Sequence, residues 1–554
     1  IGGYSPLHYL GFGVFGLIWY DIDPEQALKA ADTLLHRLMH ERFSRVHIGI
    51  APGPKNEKED GKSAGSVSGD GEMLLAEAWQ ALKTARRRGP YALCSYASLQ
   101  DPAKHPLRNP SSHVMSVLKR QWSGKDHFAL VLLRRDQKTE ETGFSKRISS
   151  LIGPDHPVFF ENNREAFVFL DDAAEQEALD WITRFKSRLK TPSGSALFRE
   201  DVTFSAGIAL YPCFDFKKSA MPAGARKALK HTEFFGPDTM TVFDGVSLNI
   251  SGDIYYNEGD LARAVKEYRK GLVLDPENIN LMNSLAVAYA QMNRYQKAIP
   301  LLERALLIDE ADFMALLNLG FAYLATGQQG AAVESFERAL AIDDNHFDLL
   351  LQLGKQYCLL ERFEEARELL ERCKGLLEGV KEEAGGQGET KTGLDGYGAR
   401  PRDVDRGVVN RYLGMAYKGL GDSRQAMVCL QKAAKFNPWD VTALCILGEL
   451  YALEKQGNDI AESLCRQAIA LDDSRSSCWR ALAHVQFLNR DFEAARESLK
   501  QALRLDRNNI EALLLAGRVY EKLGQDSRGV KMYERVLRLD AANRKALQAV
   551  KRLR

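Results

Sequence analysis

The chain lacks a charge surplus: 75 lysines and arginines stand against 74 aspartates and glutamates in 554 residues. No global field therefore draws it toward nucleic acid or an anionic membrane, neither is expected as a partner, and recognition must rest on local surfaces. It also lacks any C-x-x-C pair. Its eight cysteines, Cys94, Cys213, Cys358, Cys373, Cys429, Cys445, Cys465 and Cys478, fall mostly in helical patterns. They read as small buried apolar residues suited to a reducing cytosol, so a cytoplasmic location is expected. H-E-x-x-H, G-x-S-x-G and metal-spaced cysteine and histidine sets are missing from the sequence. The run Gly61, Lys62, Ser63 fails as a phosphate-binding loop because Asn56 stands where the pattern needs a glycine. Long apolar runs are missing too. The opening stretch YLGFGVFGLIWYDID (Tyr9 to Asp23) is too short to span a bilayer and has neither a basic flank before it nor a small-residue cleavage site after it. Dense in aromatics and glycines, it reads as a strand or hairpin.

What is present is repetition on two scales. Tyr9 to Leu28 runs apolar strand, acidic turn, helix, and Phe160 to Leu179 follows the same plan. RVHIGIAPGP (Arg45 to Pro54) matches VTFSAGIALYP (Val202 to Pro212), setting Gly49 against Gly207. AWQALKTARRRGP (Ala78 to Pro90) matches ARKALKHTEFFGP (Ala225 to Pro237) without a gap. Three blocks in one order indicate two copies of a strand-strand-helix-strand-helix α/β domain. The charged, Gly- and Ser-rich segment at about 53–71 has no apolar period and reads as a disordered insertion in the first copy.

FSAGIALYP, ARKALKHTEFFG and the closing TVFD (Thr241 to Asp244) resemble the GGDEF domain of diguanylate cyclases. The resemblance implies two nucleotidyl cyclase-like α/β domains, at 1–100 and 114–244. The first is expected to be truncated: it has no counterpart of FALVLLRRD (Phe128 to Asp136), so a segment upstream of Ile1 is expected. The family's signature turn falls on Gly11, Phe12, Gly13, Val14 and Phe15 in copy one, and on Asn163, Arg164, Glu165, Ala166 and Phe167 in copy two. Copy one thus keeps two glycines and no carboxylate, copy two one carboxylate and no glycine. The family's other metal-binding aspartate aligns with Arg134, which would repel a cation, and its R-x-x-D motif is replaced by IGPDHPVFF. No catalysis, metal or cofactor is expected, since phosphoryl chemistry needs the missing ligands. Arg164 and Glu165 are expected in a solvated turn. The alternative is a sensor in which this turn binds a guanine nucleotide or cyclic dinucleotide, with an active cyclase as a third reading.

From Gly245 a second period begins. A small residue recurs at Gly252, Ala286, Gly320, Gly354, Gly414, Gly448, Ala483 and Gly517, spaced by 34, 34, 34, 60, 34, 35 and 34 residues, with an aromatic three positions on in all but the Ala483 repeat. Tyr255, Tyr289, Tyr323, Tyr357, Tyr417, Tyr451 and Tyr520 supply the aromatic, and an alanine recurs twelve residues after the small position, as at Ala264 and Ala298. The pattern resembles the tetratricopeptide repeat: eight helical hairpins over 245–544, with small residues allowing close helix approach and aromatics filling the gap toward the next repeat. The 60-residue interval holds 26 extra residues, expected as a mobile loop at about 378–405, and Lys545 to Arg554 is expected as a capping helix. The fold class is therefore α/β plus all-α, two GGDEF-like domains followed by an α-solenoid.

Counting the small residue as position eight, the resembled family lines its concave groove with positions two, five, nine and twelve. These give an apolar stripe of Met314, Leu317, Phe321, Leu324, Leu351 and Cys358, then a basic stretch of Arg411, Lys418, Arg480, His484 and Arg518 opposed by Glu449, Glu511 and Glu521. A protein or peptide with apolar and acidic segments is the expected ligand. Asn249 and Asp253 do not meet the chaperone-tail clamp, so no such receptor is expected. The expected function is a non-catalytic scaffold, placed in bacterial signalling by the cyclase resemblance.

Overall fold

A computed structural model describes residues 7–11, 13–18, 24–40, 46–51, 67–88, 92–96, 99, 105–137, 143–191, 197–198, 202–383, 403–455 and 457–553. The chain divides into two compact units, Ile1–Gly327 and Gln328–Arg554.

The first unit opens with a hairpin, β1 (Leu7–Gly11) and β2 (Val14–Leu17), followed by α1 (Pro24–His40), β3 (Ile48–Ile50), α2 (Val67–Arg88) and β4 (Leu93–Ser95). After α3 (Ser112–Gln121), β5 (Phe128–Arg135) and α4 (Phe144–Ile152), the same order returns: β6 (Val158–Phe160), β7 (Glu165–Asp171), α5 (Glu175–Leu189), β8 (Phe204–Tyr211), α6 (Met221–His231) and β9 (Met240–Val242). In the second copy these strands form one sheet in the order β6-β7-β5-β8-β9. Its elements from β5 to β8 trace the β-α-β-β-α-β path of a split βαβ motif. The strand β5 is central and antiparallel to both neighbours. It is apolar along most of its length because both faces are covered. Ala129, Val131 and Leu133 enter the core beneath α4 and α5, while Phe128, Leu130 and Leu132 enter the one shared with α3 and α6.

Internal duplication is visible in atomic packing as well as in order. A Cβ on Gly207 would lie 2.0 Å from the Ala225 carbonyl oxygen and 2.2 Å from the Leu229 nitrogen. On Gly49 it would lie 2.5 Å from the Ala78 carbonyl oxygen and 2.3 Å from the Leu82 nitrogen. These are equivalent pairs in the two aligned blocks, so each copy seats the same turn of its helix directly on a glycine of its strand. The parallel strand pairs agree in register, Gly49 opposite Cys94 and Gly207 opposite Thr241, each partner four residues past the aligned prolines Pro90 and Pro237. Among the described residues the strands of copy one make two two-stranded sheets, β1-β2 and β3-β4.

Hairpins of helices follow directly. In the first unit α7 (Gly245–Asn257) pairs with α8 (Leu261–Leu274) and α9 (Ile279–Gln291) with α10 (Tyr295–Ile308), before α11 (Phe313–Ala325). The second unit contains α12 (Gln329–Leu340), then the pairs α13 (Phe347–Leu359) with α14 (Phe363–Glu383), α15 (Asp403–Gly419) with α16 (Ser423–Phe436), α17 (Val441–Leu453) with α18 (Asn458–Leu471), α19 (Ser476–Leu488) with α20 (Phe492–Leu505), and α21 (Ile510–Lys522) with α22 (Asp526–Leu539). The terminal helix α23 (Arg544–Leu553) buries Ala546 and Ala549 against Leu513, Tyr533 and Val536. First helices are started by short polar caps: Asp244, Asn278, Asp312, Asp440 and Asn509 each accept from a backbone N–H three residues on. At Gly252, Gly354, Gly414, Gly448 and Gly517 the small residue of the hairpin meets the second helix. Beside Gly252 a Cβ would lie 2.2 Å from the Tyr268 ring, and Gly354 and Gly414 face Leu370 and Leu430 in the same way, sixteen residues on. Gly448 faces Cys465, one residue further, which accounts for the 35-residue interval.

No gap in packing separates the second α/β copy from the first repeat. Leu248 of α7 and Leu274 of α8 join the core around Phe128 and Ala225. Lys227 of α6 is ion-paired with the buried Glu267 of α8, whose carboxylate also accepts from Ser251 at 3.0 Å. Copy one touches the same repeat: Arg88 donates to the Glu258 carbonyl at 2.8 Å, and His105, just beyond copy one, reaches the Glu258 carboxylate at 3.0 Å while stacking on Tyr255.

Three expectations are corrected. The insertion expected over 53–71 is shorter at its C-terminal side, because α2 begins at Val67; helix propagation from its apolar-periodic part outweighs Gly69 and Gly71, each costing about 1 kcal/mol. The loop expected over 378–405 is trimmed at both ends, since the helix formers of α14 run to Glu383 and α15 starts at Asp403. The remainders, 53–66 and 384–402, lie outside the described residues. The aromatics point backward rather than forward: the hydroxyls of Tyr323, Tyr357 and Tyr417 donate to Glu303, Glu337 and Glu371 on the preceding repeat's second helix. The first two spans are 20 residues and the third is 46, the same contact carried across the 26-residue insertion.

Gly207→Ala should cost about 3 kcal/mol or more, because the clash is with helix backbone rather than a movable side chain. Chemical denaturation of the full chain checks this, and a change within error of wild type would contradict the packing described.

Candidate functional site

Two places carry the residues singled out from the sequence. At the first, the signature turn of copy two, Asn163 is exposed, Arg164 half-buried, and Glu165, Ala166 and Phe167 buried. The Glu165 carboxylate is not the solvated turn residue expected. One of its oxygens accepts from Arg108 at 2.6 Å, from Arg226 at 3.0 Å and from Asn162 at 3.3 Å. Arg108 comes from the segment before α3 and Arg226 from α6, so Glu165 ties the hairpin to two other parts of the domain. Asn162 shapes the turn, accepting from the N–H groups of Arg164 and Glu165 at 2.8 and 3.0 Å. Arg164 turns inward and donates to the carbonyls of Arg135 and Asp136 at 2.9 and 3.1 Å.

The neighbouring charges are also engaged. Arg134 pairs with Glu233 at 2.8 Å. The Asp136 carboxylate accepts from Thr203, Ser205 and the Asp238 N–H at 2.8, 2.7 and 2.9 Å. A cation at Glu165 would sit beside two guanidinium groups. In copy one Gly13 adopts φ +72°, as a tight hairpin turn requires, with Val14 buried and Phe15 exposed. Gly11 ends β1, and Phe12 lies outside the described residues.

At the second place, the first-helix faces of the array, the apolar and basic stretches fare differently. In α11 Met314 and Phe321 are exposed and Leu324 half-buried, whereas Leu317 is buried between helices; in α13 Leu351 and Cys358 are likewise buried. Those three are packing residues, a correction to the expected stripe. The basic stretch is corrected more thoroughly. Glu449 of α17, 2% exposed, gathers Lys418 at 2.7 Å, Arg480 at 2.9 Å and His484 at 3.5 Å from the first helices on either side. Arg411 pairs with the buried Asp440 at 3.0 Å, and Arg480 also reaches Glu511 at 3.2 Å. Arg518 lies over the Phe487 ring at 4.7 Å, and Glu521 accepts from Tyr533 at 2.5 Å and pairs with Arg552.

Three of the stretch's four permanent cations, Arg411, Lys418 and Arg480, therefore face carboxylates of the array, while Arg518 lies on an aromatic ring. Burial alone would raise the Glu449 carboxyl, but the His484 contact and the charges of Arg480 and Lys418 outweigh it and hold it well below the ordinary range. Sequence periodicity named Glu449 only as an opposing charge. Its role as the common partner of three helices, and the roles of Arg108 and Arg226, were missed. Arg226 stands where copy one has Trp79, a change of charge inside an otherwise matching block that marks the place.

Glu449→Gln should lower stability by about 3 kcal/mol, because it leaves Lys418 without its partner and Arg480 with only the exposed Glu511. With the folded carboxyl depressed below its ordinary value of 4.5, the contribution is present above that pH and fades as acid protonates the folded state. The gap between wild type and variant in urea melts should hold from pH 8 to 5 and narrow below 4.5. A gap that instead widened in acid would contradict the assignment.

Models of the tetratricopeptide repeat family match residues 252–293, 279–345, 413–438 and 486–553. No model of the GGDEF family matches the chain. The general transcriptional corepressor trfA of Dictyostelium discoideum is 24% identical over 149 residues, which is 26% of this chain and 11% of that protein. The chain thus spans about a tenth of this curated relative. Among solved structures, the APC/C hetero-tetramer Cut9–Hcn1 is 16% identical over 55% of this chain and 55% of that chain, with a TM-score of 0.37. A tetratricopeptide repeat protein from Parabacteroides merdae is 15% identical over 50% of this chain and 98% of its own, with a TM-score of 0.35. The helical hairpins in the C-terminal region of this chain are tetratricopeptide repeats.

Proposed function

We propose that this protein is a non-catalytic scaffold that recruits a protein partner through its tetratricopeptide array. The observation that carries this reading is the array itself, a run of hairpins whose first-helix faces keep apolar side chains in contact with solvent at Met314 and Phe321. Apolar surface of this kind on a repeat array suits a helix or extended segment with apolar anchors. The acidic half of the expected ligand has less support, since Arg411, Lys418 and Arg480 are paired with carboxylates of the array.

The α/β half is read as two degenerate GGDEF-like domains. The order β6-β7-β5-β8-β9, the hairpin at the signature positions and the duplicated glycine-on-helix contact support this reading. Its role would be structural, closing the first repeat through Leu248 and the Lys227–Glu267 pair. The bacterial signalling context and the cytoplasmic location rest on the cyclase resemblance and the cysteine pattern. Against nucleotide sensing at the turn stands Glu165, whose carboxylate is already held by Arg108 and Arg226.

A photo-reactive residue at position 314 of the full chain should cross-link to an apolar segment of the partner, and Phe321→Asp should reduce partner recovery at least fivefold without changing the melting temperature. Equal recovery would remove the apolar stretch as the docking face. Calorimetry with GTP and magnesium should show no heat, and mass spectrometry no cyclic dinucleotide; a detected product would overturn the non-catalytic reading.

A further inference from the structure

Seven of the eight cysteines are buried, and three of them meet in one place. Cys445 of α17, Cys465 of α18 and Cys478 of α19 belong to a single core cluster with Val441, Leu482 and Val485. The Cys445 and Cys478 thiols are in hydrogen-bond contact. Among the described residues of the second unit, α17 and α19 are the consecutive first helices that approach each other most closely. Small thiols at the contact permit that approach, as glycine does within a hairpin.

The two sulfurs of this contact stand in different settings. Cys478 is the third residue of α19, in the first turn, where the helix dipole favours a thiolate. The hydrogen bond with Cys445, joined by the Arg475 charge and a Ser477 hydrogen bond, holds its thiol below the ordinary value against burial and Asp472. Contact with Cys478 and burial push the Cys445 thiol well up. The flanking first helices α17 and α21 begin on the capping side chains of Asp440 and Asn509. By contrast, α19 begins on Arg475, whose side chain makes no capping hydrogen bond. A first turn without that cap opens more readily than its neighbours, which gives a small reagent a way to Cys478.

We propose that Cys445 and Cys478 are a reversible redox pair, oxidised to an intramolecular disulfide by low-molecular-weight disulfides of the glutathione disulfide type. The Cys478 thiolate attacks one sulfur of the reagent, which breaks its S–S bond, forms a mixed disulfide and releases one thiolate. Cys445 then attacks the Cys478 sulfur, forming the internal bond and releasing the second thiolate. The protons lost by the two cysteines end on the two released thiolates, so the pair is oxidised and the reagent reduced to two thiols. Cys465 stays outside the exchange, because burial pushes its thiol up to about 12 and its sulfur is seated against Gly448. Cys445 lies one turn before Glu449 and Cys478 two residues before Arg480, so the disulfide closes the same joint that the Glu449–Arg480 pair bridges. A covalent bond there holds α17 to α19 against local opening. This inference is independent of what the array binds.

The full chain, incubated with glutathione disulfide in buffer without denaturant, blocked with iodoacetamide and digested without reduction, should yield a peptide pair joining Cys445 to Cys478 in mass spectrometry. Dithiothreitol added before blocking should abolish it. Cys445→Ser should trap glutathione on Cys478, and Cys478→Ser should leave Cys445 free of it. Four results overturn the proposal: no linked pair in the wild-type chain, a linked pair that contains Cys465, no glutathione on Cys478 in Cys445→Ser, or glutathione on Cys445 in Cys478→Ser. The wild-type result stands on its own if either variant fails to fold.

Discussion

Close approach of a helix to a position with little or no side chain is the constraint on which both halves of this protein rest. In the α/β half the backbone of a helix turn sits on Gly49 and on Gly207, at distances where no Cβ fits. In the array Gly252 and its equivalents let Tyr268 or a leucine of the second helix come equally near. Each contact fixes the separation and rotation of two elements at once, because a helix pressed against a flat patch has one depth at which its neighbours also pack. The spacing of the remaining apolar residues follows from it.

Charge is handled by closure rather than by display. Glu165, Asp136, Glu267, Asp440 and Glu449 each carry donors or cations supplied by a different element. Buried ion pairs of this kind add little net stability compared with apolar packing, but removing one member is costly because the other remains desolvated. They therefore act as specifiers of which elements meet. Glu449 ties three consecutive first helices together, and the Lys227–Glu267 pair joins the second α/β copy to the first repeat. These acidic residues serve as fasteners between elements.

Much of this was legible in the chain. The 34-residue spacing located the first helix of each hairpin because the small position and its aromatic must recur once per repeat. The match of Ala78 to Pro90 with Ala225 to Pro237 located α2 and α6, and Gly49 opposite Gly207 located the strands beneath them. Helix ends were less legible: α14 continues to Glu383 and α2 begins at Val67, since propagation from a packed segment carries a helix through residues with poor propensity. The candidate sites were least legible. Arg108 is separated from Glu165 by 57 residues and Arg226 by 61, and no period links them.

Sequence alone determined the two repeats, their periods and the residue types at each repeated position, because periodic packing demands the same side chain at the same place every time. Tertiary structure decided which charges meet and which apolar residues stay exposed. Those outcomes depend on distances between residues far apart in the chain. Coulomb attraction and burial act through space, and a linear order of residues does not contain them until the packed helices and strands have set the separations.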